Sequence, residues 1–390
     1  MAIDALSVLL GPQAGAILSA AVAEHGSALR AVRARGVHVR PNGAAVVRYT
    51  AALTHSDGRC GTDTLVAATG DRIPHGATVV AGEHGGEPVQ IGIWRFPHDP
   101  ALPALAMAAD PARVCAQLRR HGLTTATSVT VALRAYRPGR RAVVEVSAPD
   151  GQRWFVKVVR PAALDGLLER HRLMSPQTPV MPVLGHTSTG AVILPVAPGS
   201  PVRALIAAGA EPPSTEALEH LLDDLPPAVA ALPHSVSPLA QVSDFAAVIA
   251  HTGSYELRCA AYSLAQDLQD VDVGESAPVA VHGDFHGGQL LAAGGTITGL
   301  LDVDTAGAGQ RDDEWATLIG HLATSRSVSA QQYCAAIQQH AERRTDASRL
   351  RARVSAVLLG LATGPFRVQH PHWPTQTAAR LTLARRWLTG

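Results

Sequence analysis

The class this 390-residue sequence predicts is an α+β fold, with a β-rich first half in two blocks and a mainly helical second half. Three observations carry it. Short alternating runs bounded by glycine and proline fill the chain between residues 44 and 96 and again from 128 to 159. Long alanine- and leucine-rich runs of helical period dominate beyond about residue 200. The length exceeds one hydrophobic core, and apolar residues at 46% suffice for more than one.

The elements follow in chain order. Ala5 to Ala23 is uncharged, follows Asp4 and is interrupted by Pro12, which predicts a helical pair rather than a cleaved signal. "AAVVRYTAAL" (44–53), "TLVAATG" (64–70), "ATVVAG" (77–82) and "VQIGIWRF" (89–96) predict a small antiparallel sheet. "PHDPALPAL" is a surface linker, and "PARVCAQLRRHG" a helix closed by Gly122. "SVTVALRAY", "RAVVEVSA" and "QRWFVKVV" predict three strands joined by turns at Arg137-Pro138-Gly139-Arg140 and Pro149-Asp150-Gly151. "RPNGAAVV" (40–47) and "RPGRRAVV" (137–144) match in register, as a duplicated hairpin or as two similar turns would. Helices are expected at "STEALEHLLDDL", "LRCAAYSLAQDLQDV", "AQQYCAAIQQHAERR", "RLRARVSAVLLGLA" and "TAARLTLARRWL".

Composition excludes some functions. With 33 basic against 32 acidic side chains the formal charge is +1, so neither nucleic acid nor an anionic membrane is an expected partner. Cys60, Cys115, Cys259 and Cys334 form no CxxC pair, which points to reduced thiols and a cytoplasmic protein rather than a zinc knuckle or disulfide framework. Basic residues are almost all arginine. Lys157 is the only lysine and Asn42 the only asparagine, so a lysine retained against this bias marks a position where arginine would not serve.

The helical half is interrupted by "VHGDFHGGQLL" (281–291), set between the short strands "PVAV" and "TITGLLDV". Three readings fit it. His282, Asp284 and His286 at alternate positions share one face of an extended segment and suit metal ligation, as in a metal-dependent hydrolase. A strand end turning through Gly283, Gly287 and Gly288 needs no chemistry at all. The third reading is phosphoryl transfer: Asp284, an amide five positions on at Gln289 and a strand-terminal Asp302 thirteen further stand in kinase order, as proton acceptor, metal-holding amide and metal-holding carboxylate.

"HGDFHGGQLL" resembles the HGDxHxxN segment of the aminoglycoside phosphotransferase and choline-kinase-like superfamily, and its HGDxHxGQ form is nearer the maltokinase and glucosamine-kinase branch. "IWRFPHDPALPALA", "YRPGRRAVV" and "GPFRVQHPHWP" extend the resemblance along most of the chain. It implies a bilobal protein-kinase-like fold: an N-terminal cap over 1–110, a nucleotide-binding N-lobe over 111–197 and a helical C-lobe over 198–390. It also implies ATP and Mg²⁺, a small-molecule hydroxyl as acceptor, and a mostly structural role for His286. Two departures stand out. Gln289 replaces the usual Asn, and Glu314 in "DEWA" replaces an Asp, where it is expected to tie down the catalytic loop.

A phosphotransferase needs an ammonium on the α- and β-phosphates, and alternation in "FVKVV" turns Lys157 into the cleft with Phe155 and Val159. Glu169 of "LDGLLERHRLM" is the expected carboxylate partner of that lysine, with Asp165 as rival. Leu194 to Val196, after the strand in "AVILPVAPGS", is the expected adenine-binding backbone. Asp304 is read as a solvated turn residue, with a second metal ligand as the alternative; a DxD pair by itself would also suit a glycosyltransferase. His282 is read as structural. The acidic runs "EHLLDDL" and "QDLQDVDVGE" suit an aminosugar cation, and Trp373 with His370 and His372 a sugar-stacking wall. The acceptor class expected is therefore a sugar, aminosugar or aminoglycoside. An inactive nucleotide-binding pseudokinase is the alternative to turnover, the complete set Lys157, Asp284, Gln289 and Asp302 arguing against it. Oligomeric state is not legible.

Overall fold

A computed structural model of the chain describes residues 5–24, 26–272, 274 and 276–390. Asp4, and the Val273 and Glu275 of the second acidic run, lie outside the described residues. The expected helical pair is present as α1 (Ala5–Leu10) and α2 (Gln13–Ala23), broken around Pro12.

Two antiparallel five-stranded sheets make up the first half. The first contains β1 (Ala28–Val39), β2 (Ala45–Thr54), β3 (Cys60–Thr69), β4 (Thr78–His84) and β5 (Glu87–Arg95) in the order β1-β2-β3-β5-β4. Four of these strands match the expected runs. The fifth, β1, is twelve residues long and was not anticipated. Register shifts between Leu29 and Ala31 and between Ala34 and Gly36 throw its arginines out of strict alternation, which erases the period-two signal.

After α3 (Leu105–Ala108) comes α4 (Pro111–Arg120), capped by Asp110, whose carboxylate accepts the Arg113 N–H at 2.9 Å. The second sheet follows: β6 (Thr130–Arg137), β7 (Arg141–Ser147), β8 (Arg153–Val159), then α5 (Leu164–Met174), β9 (Gly185–His186) and β10 (Ala191–Pro195). Its order is β6-β7-β8-β10-β9, the same as in the first sheet, and the "RPNG" and "RPGR" turns occupy the first hairpin of each. The two sheets differ in what joins their third and fourth strands: a single 3-10 turn at Gly70–Arg72 in one, α5 in the other.

The sheets are not independent bodies. Val66, Ala68 and Trp94 of the first, Val114 and Leu118 of α4, and Tyr136, Val144 and Val156 of the second belong to one buried cluster. Burying them together removes from water faces that neither sheet could cover alone.

The second half is mainly helical, as expected. It begins with β11 (Ser200–Pro201), α6 (Val202–Ala207), α7 (Thr215–Asp223), α8 (Val242–Ala250) and α9 (Tyr255–Gln269). Four short strands follow, β12 (Val279–Val281), β13 (Leu290–Ala293), β14 (Thr296–Leu300) and β15 (Gly307–Gly309). The chain ends in α10 (Arg311–Ala323), α11 (Val328–Ala341), α12 (Ala347–Ala362), α13 (Gly364–Arg367) and α14 (Trp373–Thr389). Serine or aspartate caps at Ser214, Ser254 and Asp346 start α7, α9 and α12. α12 is buried along most of its length, and its alanines and leucines centre a core running from Val159 to Ala384. No described helix is long and apolar enough to cross a membrane. β12 pairs with β15 and β13 with β14 and β11, so two small ladders hold the 282–289 loop from both ends.

Candidate active site

The loop between β12 and β13 is fastened by its backbone. Glu314, at the start of α10 and 1% exposed, accepts the N–H of His282 at 2.8 Å and of Gly283 at 2.9 Å. It thus ties down the loop as the "DEWA" motif suggested. Burial pushes its carboxyl up to about 7 against those two N–H groups. Gly283 sits at φ +82°, and a Cβ there would stand 2.7 Å from the Thr305 carbonyl, so no other residue fits. His282 is fully buried and spends both ring nitrogens, Nε2 on the Leu301 carbonyl at 2.8 Å and Nδ1 on the Asp284 N–H at 3.3 Å. This removes His282 from the ligand set of the metal reading and leaves it the structural role expected of it.

Asp284 projects from this loop. One oxygen accepts from Gln289 Nε2 at 3.2 Å, and the other lies 3.6 Å from His286 Nε2. Burial works to raise its carboxyl, but the His286 and Gln289 contacts outweigh it and hold the group below the usual aspartate range. It is therefore an anion at neutral pH, able to orient a hydroxyl. His286 turns Nδ1 to the Gly288 N–H at 3.0 Å and stacks on His321 of α10, with ring centroids 4.0 Å apart. Burial, then His286, lowers His321 to about 3, so that ring is neutral.

Gln289 Nε2 also reaches Asp302, at 3.4 Å, and so links the two aspartates. Asp302 follows β14 and takes φ 62°, a left-handed conformation uncommon for a residue with a side chain and typical of functional positions. Lys157 of β8 donates to Asp302 at 2.9 Å and to Asp304 at 2.6 Å. Arg141, at the start of β7, bridges the same pair at 2.7 and 2.6 Å. Asp304 is thus not the solvated turn residue expected; two cations from the second sheet hold it. Burial would raise the Asp302 carboxyl, yet Lys157 and Arg141 hold it well below the usual range.

The donor set suits Mg²⁺. Asp302, Asp304 and the Gln289 carboxamide offer only hard oxygens, and rotating the Gln289 amide would turn its oxygen toward both carboxylates.

A cleft of about 510 Å³ opens from these groups between the lobes. Leu194 and Val196 line it with Phe155, Met181, Leu291 and Leu300, an apolar slot that ends at Lys157, Gln289 and Asp302. Leu194 and Val196, the expected adenine-binding backbone, thus lie on the wall of this slot.

Glu169 does not. It pairs with Arg172 at 2.6 and 2.7 Å on the solvent side of α5, and Asp165 is exposed as well. The buried face of α5 is Leu164, Leu167, His171 and Met174, and His171, which lines the cleft with Lys157, takes the inner position. The carboxylates that meet the lysine come from Asp302 and Asp304 instead.

Three described carboxylates of the acidic runs are paired with basic residues of the helical half instead. In α7, Glu219 pairs with Arg344 and His340 and Asp223 with Arg311, while Asp267 of α9 pairs with Arg385. Trp373 is partly buried and packs edge-on against the core residue Phe366, centroids 4.9 Å apart. Arginines crowd the walls next to Asp284: Arg137, Arg140, Arg160 and Arg170 line a cavity with it, beside the Arg141–Asp302–Asp304 group. Spacing within one segment could not reveal these residues, which come from one strand, the hairpin turn, the connection after β8 and a helix.

One metal-like grouping exists among the described residues: Asp284, His286 and His321 present ligand atoms within 4.8 Å of one another. His321 was not among the expected residues; only the fold brings it to the loop.

No protein-family model and no curated protein matches the sequence. Among solved structures, a thermostable mutant of the aminoglycoside phosphotransferase APH(4)-Ia, in apo form, is similar at a TM-score of 0.50 and 15% identity, over 69% of this chain and 97% of that one. Another structure of APH(4)-Ia gives 0.50 and 15%, over 72% and 99%. The macrolide 2'-phosphotransferase MphH from Brachybacterium faecium, as apoenzyme, matches at 0.42 and 19%, over 69% and 97%. What APH(4)-Ia and this chain share at such identity is the fold, so the kinase-like architecture expected from the sequence is the one observed.

Proposed function

We propose that the chain is an ATP- and magnesium-dependent O-phosphotransferase acting on a hydroxyl of a small molecule. One observation carries this reading: an unbroken line of contacts from Lys157 through Asp302 and Gln289 to Asp284, at the polar end of an apolar slot. The fold it shares with an aminoglycoside phosphotransferase supports it. In this reading Leu194 and Val196 seat the adenine, Lys157 takes the α- and β-phosphates, and Asp302 with Gln289 would hold magnesium. The metal's contribution is to neutralise charge on the transferring phosphoryl group.

Asp284 orients the acceptor hydroxyl and receives its proton as the acceptor oxygen bonds to the γ-phosphorus. The bond from that phosphorus to the β–γ bridging oxygen breaks, and ADP departs. The transition state is loose, so positioning contributes more than base strength. Glu314 and the buried His282 keep the loop that carries Asp284 in one place.

The test is ADP release measured over a panel of sugars, aminosugars, aminoglycosides and sugar acids, with Asp284→Asn alongside. Turnover is expected to fall about 10²- to 10⁴-fold in that variant while MgATP still binds. Binding of ATP with no turnover on any acceptor would instead favour the pseudokinase.

The Asp284–His286–His321 grouping favours a second reading, a metal-dependent hydrolase. Stoichiometric zinc, manganese or iron in the purified protein, together with indifference to ATP, would select it.

A further inference from the structure

On the far side of the Arg137–Arg141 hairpin from the adenine slot, the chain gathers positive charge that its overall composition does not explain. A cavity of about 520 Å³ has His38, Arg72, Arg140 and Arg160 on its walls, and the carboxylate lining it, Asp71, is spent on Arg40. A neighbouring cavity of about 190 Å³ shares His38, adds Arg48, Arg137 and Arg367, and has no carboxylate on its walls. A third, of about 450 Å³, brings Arg137, Arg140 and Arg160 alongside Asp284, with Asp302 and Asp304, the partners of Arg141, on the same wall. The three meet at the hairpin and run from the loop aspartate to the first sheet.

In the cleft itself Arg141 is satisfied by Asp302 and Asp304, and Arg137 stands on the wall that the cleft shares with these cavities. Arg72, Arg137, Arg140, Arg160 and Arg367 have no carboxylate partner among the described residues. They converge nonetheless. His38 is lowered to about 3, first by burial and then by Arg367, Arg137, Arg140 and Arg72, so groups from the first sheet, the hairpin and the C-terminal segment act on one point. Loss of surrounding water, then mutual repulsion, lowers Arg137 and Arg140 as well. A chain of formal charge +1 has no general excess of cations to distribute. Arg140, Arg160 and Arg367 are exposed, yet like charges gathered this closely repel one another, and an arriving anion relieves that repulsion.

We infer that these cavities form an anion-binding acceptor subsite, taking a small molecule with a phosphate or carboxylate group at one end and its reacting hydroxyl at Asp284. Arginine forks match both groups in a bidentate manner. The nucleotide does not account for the cluster, because Arg72 and Arg367 line cavities separate from the adenine slot, where Lys157 and Arg141 are already engaged. The word acceptor rests on the phosphotransferase reading; the anion site rests on the arginines themselves.

The test keeps these apart. With the nucleotide site saturated by magnesium and a non-hydrolysable ATP analogue, inorganic phosphate is titrated while thermal unfolding is followed. Phosphate is expected to raise the transition of the wild type, and Arg72→Gln and Arg367→Gln each to weaken its apparent affinity about tenfold, the loss of one charged contact. Without phosphate both variants should be at least as stable as the wild type, since each removes repulsion; a merely structural arginine would have the opposite sign. No response to phosphate, or unchanged affinity in both variants, overturns the site.

In the turnover arm glucose, glucosamine, gluconate and glucose 6-phosphate are compared, and the anionic pair is expected to give the lower KM, rising with salt. Preference for glucose or glucosamine would overturn the subsite and leave the phosphotransferase intact. Phosphate binding without any MgATP binding would remove the phosphotransferase and leave the anion site.

Discussion

Lys157 is 6% exposed, on the inner face of β8, with two aspartates for company. Removing the ammonium leaves Arg141 as the one cation paired with Asp302 and Asp304, so Lys157→Met is expected to cost about 3 kcal/mol, the lower end for breaking a buried pair. Denaturant unfolding with an unchanged m-value measures it. The pH dependence has a definite sign. Asp302 is depressed in the folded state, so its contribution is complete above the ordinary aspartate value of about 3.9 and is lost as pH falls through the lower folded value. The difference between wild type and variant should therefore be full at neutral pH and shrink in acid. In activity, Lys157→Arg is expected to raise the KM for ATP about tenfold or more, a fork being a poor substitute for a point charge. Composition made this lysine legible, since one lysine among so many arginines is a choice. Glu169 was misjudged although the sequence held the correction: Leu164, Leu167 and Met174 mark the buried stripe of α5, and residue 169 falls off it.

At the scale of the element, the 282–289 loop depends on a carboxylate thirty residues away in sequence. Glu314 is raised to about 7, so the folded protein holds its proton through a range in which the unfolded chain has released it. Stability from this group therefore declines as pH rises from its ordinary value toward 7 and is level above that. Glu314→Gln is expected to flatten that decline. It also sets an amide NH₂ against one of two buried N–H groups, costing about 1–3 kcal/mol. Thermal unfolding across pH 5–8 reads both effects, and a wild-type slope retained in the variant would refute the assignment. The loop's order of residues was readable from spacing alone. Its helix α10 was not foreseen beyond "DEWA", because Glu314 to Leu322 is buried almost without a break and shows no polar face to give a period.

For the whole molecule, the repeated strand order places two similar sheets in one shared core, and a linker residue couples them. Asp99 is 2% exposed and accepts from Tyr136 Oη at 2.9 Å and from the Gly139 N–H at 2.7 Å, while Trp94 of the first sheet donates to Tyr136 at 3.1 Å. The first sheet thereby sets the hairpin whose ends, Arg137 and Arg141, line the cleft at Lys157. Asp99→Ala is expected to destabilise the protein by about 1–3 kcal/mol, for two buried donors left unpaired, and to raise the KM for ATP although the residue touches no nucleotide in the proposed complex. Steady-state kinetics against ATP, with acceptor saturating, provides the check. Two sheets and a helical half were legible from turn chemistry and period. The basic cavity was not. Its members stand at positions 38, 72, 137, 140, 160 and 367, and only tertiary structure makes neighbours of residues so far apart.

The solitary ε-amine has a practical use. A protease that cuts after lysine has one peptide bond available in this chain, between Lys157 and Val158, in the middle of β8 and paired on both sides by β7 and β10. Scission there requires the cleft lined by Lys157 to come apart. The rate at which a single band becomes two therefore clocks the opening of that cleft, and occupancy by a ligand can be followed on a gel without any label.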